Sequence, residues 1–500
     1  MKDLLLGIDF GTGGCKITLI DPAGTIVDSR SGEYPTNHPH PGWAEQDPAD
    51  WYAVMCRLLH EMRPTQHGRL IALAMDSYTH GAVLLDDTMQ VIRPTIIWTD
   101  QRSVEECAEL KEKYFDLIFQ TAYQAPTPTW TLPQLAWLKH HEPENFARIK
   151  HLSFVKDYIR YRLTGNLACD AIEAQGTLFW DMKAGCWSRE LCALAGIPLE
   201  TLPPIGQPTD RAGAMTAEAS RDTGLPEGTP VIMGASDSAV EDYAAGAIEP
   251  GQCILKLATA GNVNVMTASA HPHPATLTYS HVVPGRWYTV TATNAAAVCQ
   301  RWFRDQFCRD EIAQAQRDGV SPYTLINQLA ATAPRGADGV FFHPYLMGER
   351  SPYWDANLRG SFTGLSMSTT KADLARALLE GVAYSLRDCY RTIESMGLAV
   401  HEAILIGGGA KSELWSRIVC DVFNLPLACP AGSDASFGSA LLAGVGVGVF
   451  ADEVSAVRQC LKFDRTLTPD PTGAAFYARQ FDRYRRLHDV LAEVYRENNC

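Results

Sequence analysis

The cysteines of this chain lack the spacings that mark metal sites and disulfide frameworks. There are 14 of them, and no two form a Cys-x-x-Cys pair. Zinc sites and disulfide-stapled domains both depend on such regular spacing. The sequence therefore predicts reduced thiols and a cytoplasmic location.

Long apolar runs are also missing. The least polar stretch, "ALLAGVGVGVFA" at 440–451, is too short and too rich in glycine to span a bilayer. At the start, "MKDLLLGIDFG", Asp3 and Asp9 bound a very short apolar run, which does not fit a signal peptide. We expect neither a membrane span nor a membrane partner.

Positive charge is in deficit. The chain carries 43 Lys and Arg against 57 Asp and Glu, a formal net charge of −14. Phosphate backbones and anionic membrane surfaces repel such a chain, so a nucleic-acid partner is not expected. The remaining composition, 46% hydrophobic and 20% charged over 500 residues, is typical of a soluble protein with two domains.

The two commonest nucleotide fingerprints are absent as well. No GxxxxGK[ST] motif occurs, and "GIDFGTGGCK" at 7–16 opens a hairpin rather than a helix, so it is not a dinucleotide-binding motif. Its glycines nevertheless allow backbone N–H groups to approach an anion, beside Asp9 and Lys16. From this segment alone, an ordinary tight hairpin and a phosphate-binding hairpin are equally good interpretations.

The pattern of the opening hairpin is repeated later in the chain. "GQCILKLATAGNVNVMTA" at 251–268 repeats an apolar strand, a Thr and small-residue cluster, and period-two alternation, with Thr259 placed 247 residues after Thr12. Two such hairpins facing one another can hold a polyphosphate from both sides. We therefore expect two related α/β domains, 1–248 and 249–500, with the boundary where Pro250 and Gly251 interrupt the chain.

Two further segments follow apolar strands. "LIGGGAKSE" at 405–413 places three glycines at the start of a helix, where a flat base could lie, although tight strand–helix packing explains the glycines equally simply. "VIMGASDSAVE" at 231–241 places Asp237 where it could accept a proton from a hydroxyl. The alternative for Asp237 is a helix N-cap.

The segments "YTHG" and "WTDQR" place His80, Asp100 and Arg102 at turns after strands. Such donors and acceptors suit a polyol, although a lone histidine is more often structural. Downstream, helical spacing predicts a long helix that begins after Thr369 or Thr370 and ends near Gly397.

Taken together, these segments resemble the FGGY family of carbohydrate kinases. The family's second signature is matched throughout "GSFTGLSMSTTKADLARALLE" at 360–380. Further similar segments occur in family order over nearly the whole chain: "GWAEQDPADWY", "THG", "WTDQR", "FVKDYIRYRLTG", "GASDS", "ATAGN", "YLMGERSPYWD" and "GGGAKSE". The resemblance implies two facing ribonuclease-H-like domains of the actin and hexokinase superfamily, with a cleft between them.

The resemblance also implies roles for individual residues. Asp237 would be the catalytic base, and Asp9 would lie near the Mg-ATP phosphates and hold Mg²⁺ through water. The ATP-binding residues would be Gly11, Thr12, Gly13, Lys16, Thr259, Gly261, Gly408, Gly409, Ser412 and Glu413. The sugar-binding residues would be Tyr78, Thr79, His80, Asp100, Arg102, Asp237 and Ser238.

The implied activity is phosphoryl transfer from Mg-ATP to a ketopentose, with D-xylulose first and a homodimer as the implied assembly. The chain departs from the pattern of pentulose-specific members at Tyr78, Thr79 and Ser238. It also departs from the family's first signature at Gln134 and from the usual first phosphate loop at Gly14. D-Ribulose, L-xylulose, an erythritol-type polyol and gluconate therefore stay open as acceptors. Two other classes also compete: an ATP-gated module like actin or a chaperone, and a catalytically inactive sugar-binding relative.

Overall fold

The computed structural model describes residues 2–497 as a mixed α/β protein. Its strands are β1 Asp3–Gly11, β2 Gly14–Ile20, β3 Ile26–Glu33, β4 Glu45–Gln46, β5 Arg69–Ser77, β6 Ala82–Leu85, β7 Thr95–Ile96, β8 His151–Phe154, β9 Cys169–Asp170, β10 Trp180–Asp181, β11 Cys186–Trp187, β12 Ile205–Gly206, β13 Arg211–Ala214, β14 Pro230–Ile232, β15 Gln252–Leu257, β16 Gly261–Thr267, β17 Leu277–Ser280, β18 Trp287–Thr293, β19 Phe341–His343, β20 Ser361–Thr363, β21 Glu402–Ile406, β22 Leu427–Pro430 and β23 Phe463–Leu467.

The α-helices are α1 Pro48–Met62, α2 Pro64–His67, α3 Val104–Ala122, α4 Thr131–His141, α5 Pro143–Arg148, α6 Val155–Thr164, α7 Ala171–Gln175, α8 Arg189–Ala195, α9 Ala217–Thr223, α10 Asp237–Ala244, α11 Ala297–Phe307, α12 Arg309–Asp318, α13 Pro322–Thr332, α14 Lys371–Ser395, α15 Glu413–Phe423, α16 Ala435–Gly446, α17 Glu453–Cys460 and α18 Pro471–Glu497. Short 3₁₀ helices lie at Leu199–Thr201, Ala337–Gly339 and Gly408–Lys411.

Two large sheets share one topology. Their orders are β13-β14-β5-β1-β2-β3 and β17-β18-β16-β15-β21-β22-β23. In each, three antiparallel strands are followed by two parallel ones: β3-β2-β1-β5-β14 corresponds to β18-β16-β15-β21-β22. This repetition confirms the predicted fold class of two ribonuclease-H-like halves.

Both predicted hairpins are present. Thr12 and Gly13 join β1 to β2, and residues 258–260 join β15 to β16. Period-two alternation explains the burial of β1, because Leu4, Leu6 and Ile8 enter one core while Leu5 enters another. The two hairpins therefore occupy equivalent places in the two sheets.

The long predicted helix is α14. It begins after Thr370, whose hydroxyl accepts a hydrogen bond from the Asp373 N–H at 3.3 Å, and Asp373 Oδ2 accepts one from the Thr370 N–H at 2.8 Å. This capping box fixes the start. Gly397, at φ +79°, lies just past the end, which confirms its predicted position.

Two helices lie between the sheets. Helix α16, from the second half of the sequence, packs directly on β1 and β5, and α10 packs on α16. Gly7 of β1 makes this approach possible, because a Cβ there would lie 1.8 Å from the Ser436 carbonyl oxygen. The boundary between residues 248 and 249 stays a prediction, since residues after it cover the first sheet.

The other predictions from composition concern cysteines and membranes. The thirteen cysteines within residues 2–497 carry free thiols. Over the same residues, no helix combines the length and apolarity needed to cross a membrane.

Candidate functional site

The loop of the first hairpin is held by hydrogen bonds from residues that lie outside the neighbouring strands of its sheet. Trp98 Nε1 donates to Thr12 Oγ1 at 2.8 Å, and Gln46 Nε2 donates to the Thr12 carbonyl at 2.7 Å. The Tyr34 hydroxyl donates to the Gly11 carbonyl. These bonds fix the loop conformation. Gly13 stays exposed at the turn, where its N–H is open to a ligand.

Two carboxylates lie side by side behind this loop. Asp9 of β1 is the register partner of Asp76 on β5. Ser439 Oγ donates to Asp76 Oδ2 at 2.6 Å, whereas the buried Asp76 Oδ1 has no hydrogen-bond partner among the described residues. The pKa of Asp9 is raised to about 7, mainly by burial. The neighbouring Asp76 carboxyl opposes this shift, and the charge of Asp237 adds to it. The pair is short of positive charge.

Asp237 opens α10. Ser236 holds the N-cap position, so Asp237 is the first helical residue and not the cap that the sequence left as its alternative role. Its Oδ1 accepts from the Ser238 N–H at 2.6 Å and from Ser238 Oγ at 3.2 Å. The pKa of Asp237 is raised to about 6, mainly by burial. The charge of Lys256 opposes this shift, and the charge of Glu241 adds to it. This carboxyl group is poised for proton transfer near neutral pH.

Two lysines face this acidic cluster. Lys16 of β2 pairs with Asp434, which caps α16. Lys256 of β15 pairs with Glu241 of α10 at 2.5 Å. Lys16 is among the residues predicted from the sequence. Lys256 is not, because nothing in its local pattern separates it from an ordinary strand residue at a sheet face.

The donor set suits a hard divalent cation. Carboxylate oxygens are the ligands that Mg²⁺ prefers, usually with several waters retained. Asp9 is half-buried and reachable, and the unpartnered Oδ1 of Asp76 lies in the same cluster. The negative charges of Asp237 and Asp434 also raise the pKa of Asp9, so a cation there would relieve the repulsion.

A cleft of about 670 Å³ adjoins the second hairpin. It brings together four predicted ATP-binding residues: Thr259, Gly408, Gly409 and Ser412. Ser412 caps α15 by accepting from the Trp415 N–H at 3.2 Å, while Glu413 is exposed at the start of that helix and does not line the cleft. Gly261 is buried at the base of the hairpin.

The opposite wall of the cleft was not predicted. It comes from α11 and α13, with Gln300, Arg301, Tyr323, Thr324 and Asn327 among the lining residues. Their helices are ordinary amphipathic segments, so no sequence signal marks them.

His80 lies in a strained turn. Its φ is +77°, and its Nδ1 lies 2.5 Å from the Gly176 carbonyl. Burial lowers the pKa of His80 to about 4, so the ring is neutral with the proton on Nδ1 and an acceptor at Nε2. Thr79 is half-buried beside Gly176. Non-glycine residues hold such backbone angles where the fold imposes them, often at ligand sites.

The remaining predicted sugar residues are held by protein partners. Tyr78 is buried, and its hydroxyl donates to Gln46 Oε1 at 2.8 Å. Ser238 is exposed beside Asp237.

Asp100 and Arg102 form a buried ion pair. Arg102 Nη2 lies 2.8 Å from Asp100 Oδ2 and its Nη1 lies 2.7 Å from Glu45 Oε1. The guanidinium also stacks 3.8 Å above Trp43 and 5.0 Å from Trp137. These contacts account for both side chains without a ligand, so their part in sugar binding stays a prediction.

An aromatic wall near His80 combines residues from both halves of the chain. The Trp130 ring lies 4.6 Å from His80 and 6.4 Å from Tyr279 of β17. Gln175 Nε2 donates to Ser280 Oγ at 2.6 Å and joins the two halves beside this wall. Tyr279 was not predicted from the sequence, because only the folded chain brings residue 279 next to residue 130.

Known proteins are similar to this chain over nearly its whole length. Models of the N-terminal and C-terminal domains of the FGGY family of carbohydrate kinases match residues 4–242 and 258–447. The xylulose kinase of Escherichia coli (strain K12) is 31% identical over 494 residues, which cover 98% of this chain and 99% of that protein.

Solved structures are similar over the same length. The xylulose kinase from Rhodospirillum rubrum has a TM-score of 0.89 at 32% identity and covers 99% of this chain and 100% of its own. The gluconate kinase from Lactobacillus acidophilus has a TM-score of 0.90 at 27% identity, with coverage of 99% and 100%.

Proposed function

Because the chain belongs to the FGGY family of carbohydrate kinases, we propose that it transfers the γ-phosphoryl group of ATP to a hydroxyl of D-xylulose. The observation that carries this proposal is the cluster between the two sheets. There, two equivalent Thr-containing hairpins adjoin the carboxylates of Asp9 and Asp237. D-Xylulose 5-phosphate and ADP are the proposed products.

Asp237 orients the acceptor hydroxyl and takes its proton. The hydroxyl oxygen forms a bond to the γ-phosphorus while the bond from that phosphorus to the β–γ bridging oxygen breaks, leaving ADP. A carboxylate with a pKa of about 6 is ionised at neutral pH and basic enough to receive the proton. Positioning and charge neutralisation supply most of the catalysis in this chemistry.

The phosphates lie between the two hairpins. Backbone N–H groups around Gly13 and the Thr259 turn donate to them, and the adenosine occupies the cleft at Gly408 and Gly409. Mg²⁺, when bound beside Asp9, neutralises charge on the β- and γ-phosphates. Lys16 stands at the same end of the first hairpin, paired with Asp434.

The sugar lies against the first half of the chain, with His80 Nε2 accepting from one hydroxyl and the Trp130–Tyr279 wall beside it. Tyr78, Asp100 and Arg102 support this pocket from behind through their protein contacts. Gluconate is the second candidate acceptor, because the gluconate kinase structure is as similar in fold as the xylulose kinase structure.

A coupled ADP-release assay with Mg-ATP tests the acceptor. The panel is D-xylulose, D-ribulose, L-xylulose, erythritol and gluconate. A preference for D-xylulose of about 100-fold in kcat/KM, equivalent to about 2.7 kcal/mol, is the expected result. An equal preference for another member of the panel would keep the kinase and change its substrate.

The same assay addresses the rival classes. An ATP-gated module hydrolyses or exchanges nucleotide without dependence on any sugar, and an inactive relative binds sugar without ADP release. Sugar-dependent ADP release with a stoichiometric sugar phosphate is expected. A homodimer and a cytoplasmic location are part of the proposal; light scattering of the purified chain measures the first.

A further inference from the structure

The two hairpins differ in charge at one equivalent position. Asp9 lies three residues before Thr12, and Lys256 lies three residues before Thr259. Two strand pairs separate Asp9 from the turn of the first hairpin, and one strand pair separates Lys256 from the turn of the second, which is one residue longer. The duplicated position therefore carries a carboxylate in one half and an ammonium in the other.

Both side chains point into the same space. On β15, Leu255 and Leu257 enter the core of the second half, whereas Ile254 enters the core between the sheets. Because side chains alternate along a strand, Lys256 shares the inner face with Ile254. Asp9 shares the inner face of β1 with Leu5 in the same way.

The ion pair of Lys256 is partly open to water. The side chains of Lys256 and Glu241 are 28% and 27% exposed, so a ligand in the same space can reach the ammonium. Although burial lowers the pKa of Lys256, the carboxylates of Glu241, Asp237 and Asp242 raise it above its usual range, so the ammonium stays charged. Lys256 is therefore an accessible cation within an acidic cluster.

We propose that Lys256 is a phosphate-binding residue whose ammonium leaves Glu241 to contact the γ-phosphoryl group of the nucleotide held by the Thr259 hairpin. Glu241 is its partner when the site is empty. A lysine ammonium is a compact point charge on a flexible stem and binds phosphate readily. The inference rests on the proposed function, since it requires ATP at this hairpin.

Isothermal titration calorimetry with Mg²⁺ and either AMP-PNP or ADP, without sugar, tests the contact. Lys256→Met should weaken AMP-PNP binding about 10- to 100-fold, the size expected for one charge-assisted hydrogen bond. ADP binding should change less than about twofold, because ADP lacks the γ-phosphoryl group. Lys150→Met, at an exposed lysine without side-chain partners among residues 2–497, is the matched control.

Two further variants separate this role from a structural one. Lys256→Arg keeps the positive charge and should restore most of the AMP-PNP affinity. Glu241→Gln removes the resting partner but keeps the cation, so AMP-PNP should bind at least as tightly as to the wild type. An equal loss for both nucleotides, no loss for either, or an equal loss in Glu241→Gln would each overturn the proposal.

Folding and function are kept apart in this design. Thermal unfolding of each variant shows whether it folds, and Lys256→Gln replaces Lys256→Met if the latter does not. If no sugar in the panel is phosphorylated yet AMP-PNP selectivity depends on Lys256, the phosphate contact stands and the proposed acceptor falls. If sugar is phosphorylated and selectivity is unchanged by Lys256→Met, only the contact falls.

Discussion

Single residues between the sheets owe their chemistry to burial and to the charged groups beside them. Burial raises the pKa of Asp237 to about 6, although the charge of Lys256 opposes the shift. Burial raises the pKa of Asp9 to about 7 and outweighs the opposing effect of the neighbouring Asp76 carboxyl. Without the Lys256 ammonium, burial and the charge of Glu241 would raise the pKa of Asp237 further.

Activity should therefore depend on pH through Asp237. The base form is lost as pH falls below about 6, so kcat/KM should decline about tenfold per pH unit on that side. Initial rates between pH 5 and 8 at saturating Mg-ATP measure the decline. Asp237→Asn should lower kcat by about 10²-fold or more, whereas Asp116→Asn, at an exposed position, should not. A flat profile to pH 5 would contradict this role.

Lys156 is a fully buried cation in the first half of the chain. Its ammonium lies 2.9, 2.7 and 3.2 Å from Asp157, Asp170 and Glu173, all fully buried. Lys156→Met leaves Asp170 and Glu173 without this cation, while Asp157 keeps Arg160 at 3.0 Å, and should cost about 3–5 kcal/mol. Urea unfolding measures the loss, with Lys150→Met as the control. A loss under about 0.5 kcal/mol, within the range of surface substitutions, would contradict this.

The sequence predicts some of these residues and not others. Asp9, Thr12 and Thr259 belong to a repeated strand–turn–strand pattern, and Gly408 follows a strand into a helix, so local signals mark them. Glu241 and Asp434 have no such signal. Lys256 lies within the second copy of the pattern, but the pattern is defined by its apolar, Thr and Gly positions and does not mark a lysine. These three residues become a cluster only because α10 and α16 lie between the sheets, and helix packing of that kind leaves no trace in a single sequence.

At the scale of elements, the close packing of α16 on β1 depends on Gly7. A Cβ on Gly7 would meet the Ser436 carbonyl at 1.8 Å and the Ala440 nitrogen at 2.5 Å, so the helix would have to shift. Helix α16 would then move relative to Asp9, two residues along the strand.

Gly7→Ala should destabilise the protein by about 1–3 kcal/mol or more through overpacking. Thermal unfolding measures it. Gly13→Ala in the same hairpin is the control, because a Cβ there has no neighbour within 4 Å among the described residues. Equal stability of the two variants would show that α16 can shift without loss of stability.

The elements were predicted best where local chemistry is strong. Thr370 and Gly397 bound α14 as expected, because caps act over one turn. The sequence left Asp237 as either a proton acceptor or a helix N-cap, since a carboxylate after a strand suits both roles. The structure places Ser236 at the cap.

At the scale of the whole molecule, the acidic cluster predicts dependence on a divalent cation. The phosphates of a nucleotide would lie beside the carboxylates of Asp9, Asp237 and Asp434. The repulsion between these carboxylates and the phosphates must be neutralised before nucleotide binding can stabilise the fold.

ADP at 100 times its Kd with Mg²⁺ should stabilise the protein by about 2.7 kcal/mol. EDTA should remove most of this gain. Thermal unfolding with ADP and either Mg²⁺ or EDTA measures the difference, and EDTA without nucleotide is the control. Equal stabilisation in both conditions would show that the lysines alone neutralise the phosphates.

Helices α10 and α16 link the two halves of the chain. α16 rests on β1 and β5 of the first half, and α10 bonds through Glu241 and Asp242 to Lys256 and Asn264 of the second. Each half therefore depends on contacts supplied by the other, much as the partners of a domain-swapped dimer do. A fragment that ends at residue 248 would lack the helix that covers β1 and β5.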